Sequence, residues 1–133
     1  MGIADERARL TAYGSQMILT HVHLRELLED LRDGVHPDAE LGLHCLAFCD
    51  AVTEHHTDED DNVFPLLAAR HPELRDFLAA LRRDHLVIAG MLGRLRAGAE
   101  PAETLSGLAA ILETHFRGEE KRLVAVLNAV DRN

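Results

Sequence analysis

Leu10, Gly14, Met17, His21, Leu24, Leu28 and Leu31 follow one another at alternating steps of four and three. That spacing returns each residue to one side of an α-helix, because a turn takes about 3.6 residues. The same rhythm runs through Leu41, Cys45, Phe48, Val52, His55, Glu59, Val63 and Leu66. It recurs in Leu74, Leu78, Leu81, His85, Ile88, Leu92 and Leu95, and again in Leu105, Leu108, Leu112, His115, Glu119, Leu123, Val126 and Val130. A helix with one apolar stripe has to bury it against a neighbour. Four such stripes predict an all-α fold, an antiparallel up-down-up-down four-helix bundle.

Breakers fall between the stripes. Gly34 and Pro37 part the first segment from the second, His71-Pro72 the second from the third, and Gly98 and Pro101 the third from the fourth. Pro72 and Pro101 suit the first turn of a helix, where a missing N–H costs little. Pro65, inside the second segment, is expected to break or kink it. The connections are short, as between antiparallel neighbours. With 133 residues and no long linker or strand pattern, the chain reads as a single domain over residues 1–133.

A net charge of -9 argues against a nucleic-acid partner or an anionic membrane and suits a bound cation. No apolar run approaches the roughly 20 residues that cross a bilayer. The start, "MGIADERARL", has no apolar signal core, and Glu6 stands where a myristoylation motif needs Ser or Thr. The expected location is the cytoplasm. There Cys45 and Cys49 read as small buried hydrophobes rather than a disulfide. With His44 they are also a candidate second, soft metal site.

All four stripes share one anomaly. Each is interrupted near its middle by a histidine, and two carry a carboxylate one turn later: His21, then His55-x-x-x-Glu59, then His85, then His115-x-x-x-Glu119. Residues at i and i+4 lie about 6 Å apart on one face, so each pair can serve one centre. Buried carboxylates are costly without positive charge. A metal centre accounts for all six residues together. Four imidazoles and two carboxylates exceed what one zinc uses. They suit iron or manganese, held as a pair inside a bundle. If both carboxylates bridge two six-coordinate ions and a solvent-derived oxygen also bridges, two positions stay open for water, dioxygen or peroxide.

The remaining polar residues sort by helical phase. His23 points outward, and His36 and His71 precede prolines as loop or cap residues. Tyr13 is expected to pack, and Arg25 to sit at the rim or pair with a ligand carboxylate. Asp58, Asp60 and Asp61 fall on the solvated side, and Glu120 turns away from the site. His56 stays open between two roles, an alternative pairing with Asp60 or a hydrogen bond to a ligand carboxylate.

The stretch "HHTDEDDNVFP" (residues 55–65), followed by "HPEL", "RRDH" and "THFRGEE", resembles the hemerythrin-like, or HHE cation-binding, family of non-haem diiron four-helix proteins. The resemblance covers essentially the whole chain. It implies metal ligands at His21, His55, Glu59, His85, His115 and Glu119, and two iron ions joined by an oxo or hydroxo bridge. Oxygen carriers of the family have H-x-x-x-H in the third helix, where this chain has His85 and Ala89. One imidazole fewer implies an iron more open to peroxide, hence a catalase-like reaction with hydrogen peroxide or dioxygen. The alternatives are a non-catalytic module that binds or senses oxygen, nitric oxide or iron, and a metal-free bundle with a polar layer.

Overall fold

The computed structural model describes residues 3–33 and 38–129, and among them there is no strand. Four helical rods account for nearly all of them. The first is α1 (Ile3–Asp33). The second is α2 (Asp38–Asp58), which runs through a π-helical turn (Glu59–Val63) into α3 (Phe64–Arg70). A 3-10 turn (Pro72–Leu74) leads into the third, α4 (Arg75–Arg96). The fourth is α5 (Pro101–Glu119), continued by a second π-helical turn (Glu120–Val124) and α6 (Ala125–Ala129). No helix among the described residues is long and apolar enough to cross a membrane. Gly34, His36, Pro37 and Val130, the first two residues and the side chain of Leu41 lie outside what is described.

Local chemistry explains the rod ends. His71 takes φ -131 and ψ 75, outside the helical region that a following proline disfavours, and the second rod stops there. After α4, Gly98 enters the left-handed region at φ 72, while the Gly98 N–H donates to Leu95 O and the Ala99 N–H to Arg94 O. This paired closure uses up carbonyls that the helix end would leave bare. Pro101 then opens α5.

Every stripe residue of the first and third rods is buried, from Leu10 to Leu31 and from Leu74 to Leu95. The second and fourth rods depart from the expected register at one place each. After Glu59 the buried residues are Val63, Phe64 and Leu67, with Leu66 only half-buried. After Glu119 they are Leu123, Val124 and Leu127, with Val126 half-buried. A π turn adds one residue to the helical circuit, so the apolar stripe beyond it slips by one position.

The first π turn also settles Pro65, which neither breaks nor ends the rod. The Phe64 N–H donates to Glu59 O, five residues back. In that geometry Pro65 has no N–H for Asp60 O, and Arg82 Nη2–H fills the vacancy at 3.0 Å. The proline is thereby carried inside a continuous rod.

The core divides in two. Leu24, Leu28, Phe48, Cys49, Val52, Ile88, Leu92, Leu108, Leu112 and Phe116 form one cluster. Leu10, Met17, Phe64, Leu67, Leu74, Leu78, Leu81, Leu123 and Leu127 form the other. Between them lies a layer of buried polar side chains.

Candidate metal centre

That layer consists of His21, His56, Glu59, His85, His115 and Glu119, each no more than 6% exposed, with His55 at its edge. All six residues expected from the sequence therefore meet in one place. Their donor atoms form two sets within which every atom lies within 4.8 Å of the others. One set is His56, Glu59, His85 and His115; the other is His21, His55 and Glu119. Among the described residues, no such set includes His44, Cys45 or Cys49. Cys49 is buried, and burial pushes its thiol up to about 11.

The carboxylates stand between the sets. Glu59 Oε1 lies 3.3 Å from His85 Nε2, and its Oε2 lies 3.7 Å from His55 Nε2. Glu119 Oε1 lies 3.3 Å from both His21 Nε2 and His115 Nε2. Each carboxylate thus faces one imidazole of either set.

Three imidazoles are oriented by acids on other rods. His21 Nδ1–H donates to Glu120 Oε2 at 2.7 Å, His85 Nδ1–H to Asp60 Oδ1 at 2.9 Å, and His115 Nδ1–H to Asp84 Oδ2 at 3.0 Å. An ionised carboxylate only accepts, so each Nδ1 carries the hydrogen and each Nε2 of the neutral ring presents a lone pair. His85 Nε2 and His115 Nε2 face each other at 3.1 Å, and His21 Nε2 faces His55 Nε2 at 3.2 Å. His56 Nε2 and all four carboxylate oxygens of Glu59 and Glu119 are buried without a hydrogen bond. Acceptors pressed together with no donor among them are electrostatically untenable unless a proton or metal cation lies between them.

The ionisation of these groups follows from the same crowding. Burial, with the nearby Glu119 charge next, pushes Glu59 well above the usual carboxylate range. Burial opposes ionisation of Glu119 too, but its polar neighbours Glu59, His115 and His21 outweigh it and hold that group low. Burial lowers His55 to about 4 and His56 to about 2, so both are neutral at neutral pH with lone pairs to offer.

Several residues do not follow their expected phase. His56 is buried, and its ring stacks on His85 with centroids 3.9 Å apart, which puts it inside the first donor set. Ala89 is exposed, so a histidine there would not reach this layer; the fifth imidazole comes from His56. Asp60 is not a solvated acid but the partner of His85. Glu120 does not turn away: it holds His21 and, through two further bonds, Arg25. Arg25 pairs with Glu113 and Glu120 rather than with Glu59 or Glu119. Tyr13 does more than pack, since its hydroxyl donates to Asp58 Oδ2 at 3.0 Å. Nothing in the stripe spacing singles out Asp84. In Asp60 and Glu120 a signal was present, because each directly follows a carboxylate of the H-x-x-x-E pairs. The π turns begin at or just after those carboxylates and bring the following acid round to a histidine of another rod. His23 is exposed, as its phase requires.

A family model, the hemerythrin HHE cation binding domain, matches residues 15–127. The chain belongs to that family. Comparisons with curated proteins and with solved structures return no match. A hemerythrin HHE domain is by description a cation-binding one, and the donor-free cluster of imidazoles and carboxylates at the centre of this one fits a cation on chemical grounds alone. The matched span takes in all seven clustered residues, from His21 to Glu119.

Proposed function

We propose that this hemerythrin HHE domain holds two iron ions and uses them to decompose hydrogen peroxide. The convergence of unpaired acceptor atoms on two adjacent points carries the claim of two ions. His56 and His85 with His115 would hold one, His21 with His55 would hold the other, and Glu59 and Glu119, which face imidazoles of both sets, would serve both. Nitrogen and carboxylate donors in this number suit iron ahead of manganese. An iron pair supplies one-electron redox steps and coordination positions for small oxygen species.

The chain's own residues supply the rest. Asp60, Asp84 and Glu120 fix three rings with Nε2 turned inward. A cavity of about 50 Å³ lies beside the cluster, lined by Tyr13, Gln16, Thr20, His55, Asp58 and Glu59 among others. Its size admits one or two molecules as small as water or peroxide. Polar groups share its lining with Met17 and Val63, and the Asp58 carboxylate among them can relay a proton. Peroxide decomposition needs that, since one molecule is oxidised to dioxygen while another is reduced to two waters. The deciding assay is dioxygen release from peroxide by iron-loaded protein. Release well above that of the same iron free in solution is expected, and none above it would refute the activity.

One observation favours reversible binding of dioxygen as a second reading. With His56 the cluster has five imidazoles, which removes the reason, a missing ligand, for expecting an iron more open than in an oxygen carrier. A stable optical change with oxygen that reverses on deoxygenation, without peroxide turnover, would decide for it.

The architecture that serves this function is inferred to be a single up-down-up-down domain over residues 1–133. Paired contacts support opposed neighbouring rods: Tyr13 meets Asp58 while His21 meets His55, and His85 meets His115 while Arg94 meets Glu100. The two free thiols, four residues apart on one helix, support a reducing cytoplasmic setting.

A further inference from the structure

We propose that cations reach the two donor sets through the opening between α1 and α2, with Asp58 as the relay at its inner end. This route rests on the two-ion reading above. A vestibule of about 700 Å³ opens there to solvent, lined by His23, Glu54 and Asp61 among others, and by no lysine or arginine. It shares Thr20, His55 and Asp58 with the inner cavity of about 50 Å³. Glu59 lines that cavity, is 2% exposed, and has both carboxylate oxygens without a hydrogen bond. Glu54 and Asp61 at the mouth, and Asp58 further in, therefore lead to a buried, unpartnered carboxylate.

The inner cavity has room for one or two waters, at about 30 Å³ each. A hydrated cation cannot pass intact and has to exchange its water for protein donors on the way. Asp58 stands where that exchange begins. Its carboxylate is held by Tyr13 O–H at 3.0 Å and by Asn62 Nδ2–H at 2.7 Å. Both bonds fix the carboxylate where it lines the cavity.

The groove on the other side of α1 is mixed in charge. Arg25 and Arg32 line it together with Glu29, Asp33 and Glu113, and none of the clustered donors does. There Arg25 stands beside Glu120, ahead of His21. The α1/α2 cleft, by contrast, carries carboxylates with no cationic side chain among them, and such a cleft concentrates a cation and raises its association rate by about 10–1,000-fold.

The test is uptake of cobalt(II) by metal-free protein, followed by the visible absorption it gains in a nitrogen and oxygen site. None of Glu54, Asp58 and Asp61 belongs to the donor sets. The variant Glu54→Gln/Asp58→Asn/Asp61→Asn is expected to load about tenfold more slowly at low salt, with the gap narrowing as salt rises, and to reach the same final two ions per chain. Glu54→Gln/Asp61→Asn, which spares the half-buried Asp58, should show a smaller slowing. Glu26→Gln/Glu29→Gln/Asp30→Asn, equal in charge but elsewhere on α1, should load at the unmodified rate. Full loading of the first variant at an unchanged rate would overturn the route alone. Equal slowing in the α1 control would also overturn it, by tracing the effect to net charge. An unmodified chain that takes up fewer than two ions would overturn the two-ion reading and the route with it.

Discussion

At the scale of single residues, His56 is the side chain whose role the sequence left open. Phase alone placed His55 on the stripe and His56 beside it. In the folded chain His55 faces His21 while His56 stacks on His85, so neighbouring histidines serve different donor sets. His56→Ala is expected to lower the metal content from two ions per chain to about one, because it strips one set and spares the other. Elemental analysis of the purified variant checks this, and an unchanged content would remove His56 from the centre. Asp60→Asn should be milder. The amide can rotate its oxygen toward His85 but loses the charge, and an expected loss of about 10- to 100-fold in metal affinity follows from such outer partners. Competition with a chelator measures it.

Cys49 gives a pH-dependent prediction independent of metal. Its thiol titrates near 9 in the unfolded chain and at about 11 when folded. The folded form therefore holds its proton longer, and the stabilisation is complete below pH 9 and lost as the pH rises through 11. The loss is about 2–3 kcal/mol. Denaturation midpoints measured from pH 8 to 11 should fall, and Cys49→Ala should flatten that decline.

At the scale of the helix, the two uninterrupted rods were fully legible. Every residue of the Leu10 to Leu31 and Leu74 to Leu95 stripes is buried because an unbroken α-helix keeps its period. The other two rods were legible as far as Val63 and Leu123. Beyond those, periodicity names Leu66 and Val126, but Leu67 and Leu127 are the residues at 0% exposure. No residue type announces a π turn, so the one-residue slip is invisible to spacing. It is nonetheless where the site is made, for it carries Asp60 and Glu120 onto His85 and His21. The slip has an energetic signature. Leu67→Ala should cost about 2–5 kcal/mol as a core truncation, and Leu66→Ala much less. Paired chemical denaturation curves compare them, and the reverse order would contradict the register.

At the scale of the molecule, the polar layer splits the apolar core and so weakens it unless a cation compensates. Six residues of the cluster, all but His56, were readable from sequence because a bundle exposes its centre as interruptions of a stripe. Their orienting acids were not, since Asp60, Asp84 and Glu120 each act on a histidine of a different rod and only the assembled bundle brings them near. Metal removal should then lower the melting temperature by about 10 °C or more, given about 4 kcal/mol from a ligand at a thousand times its dissociation constant. Calorimetry of loaded and chelated protein would show it, and equal melting temperatures would mean that the layer is satisfied without a cation.

The central claim is that this domain builds two adjoining cation sites. The most direct measurement is the number of metal ions bound per chain after production in iron-supplemented cells. The arrangement of His21, His55 and Glu119 beside His56, Glu59, His85 and His115 predicts two iron ions per chain. A value at or below one, in protein that is folded and helical, would contradict it.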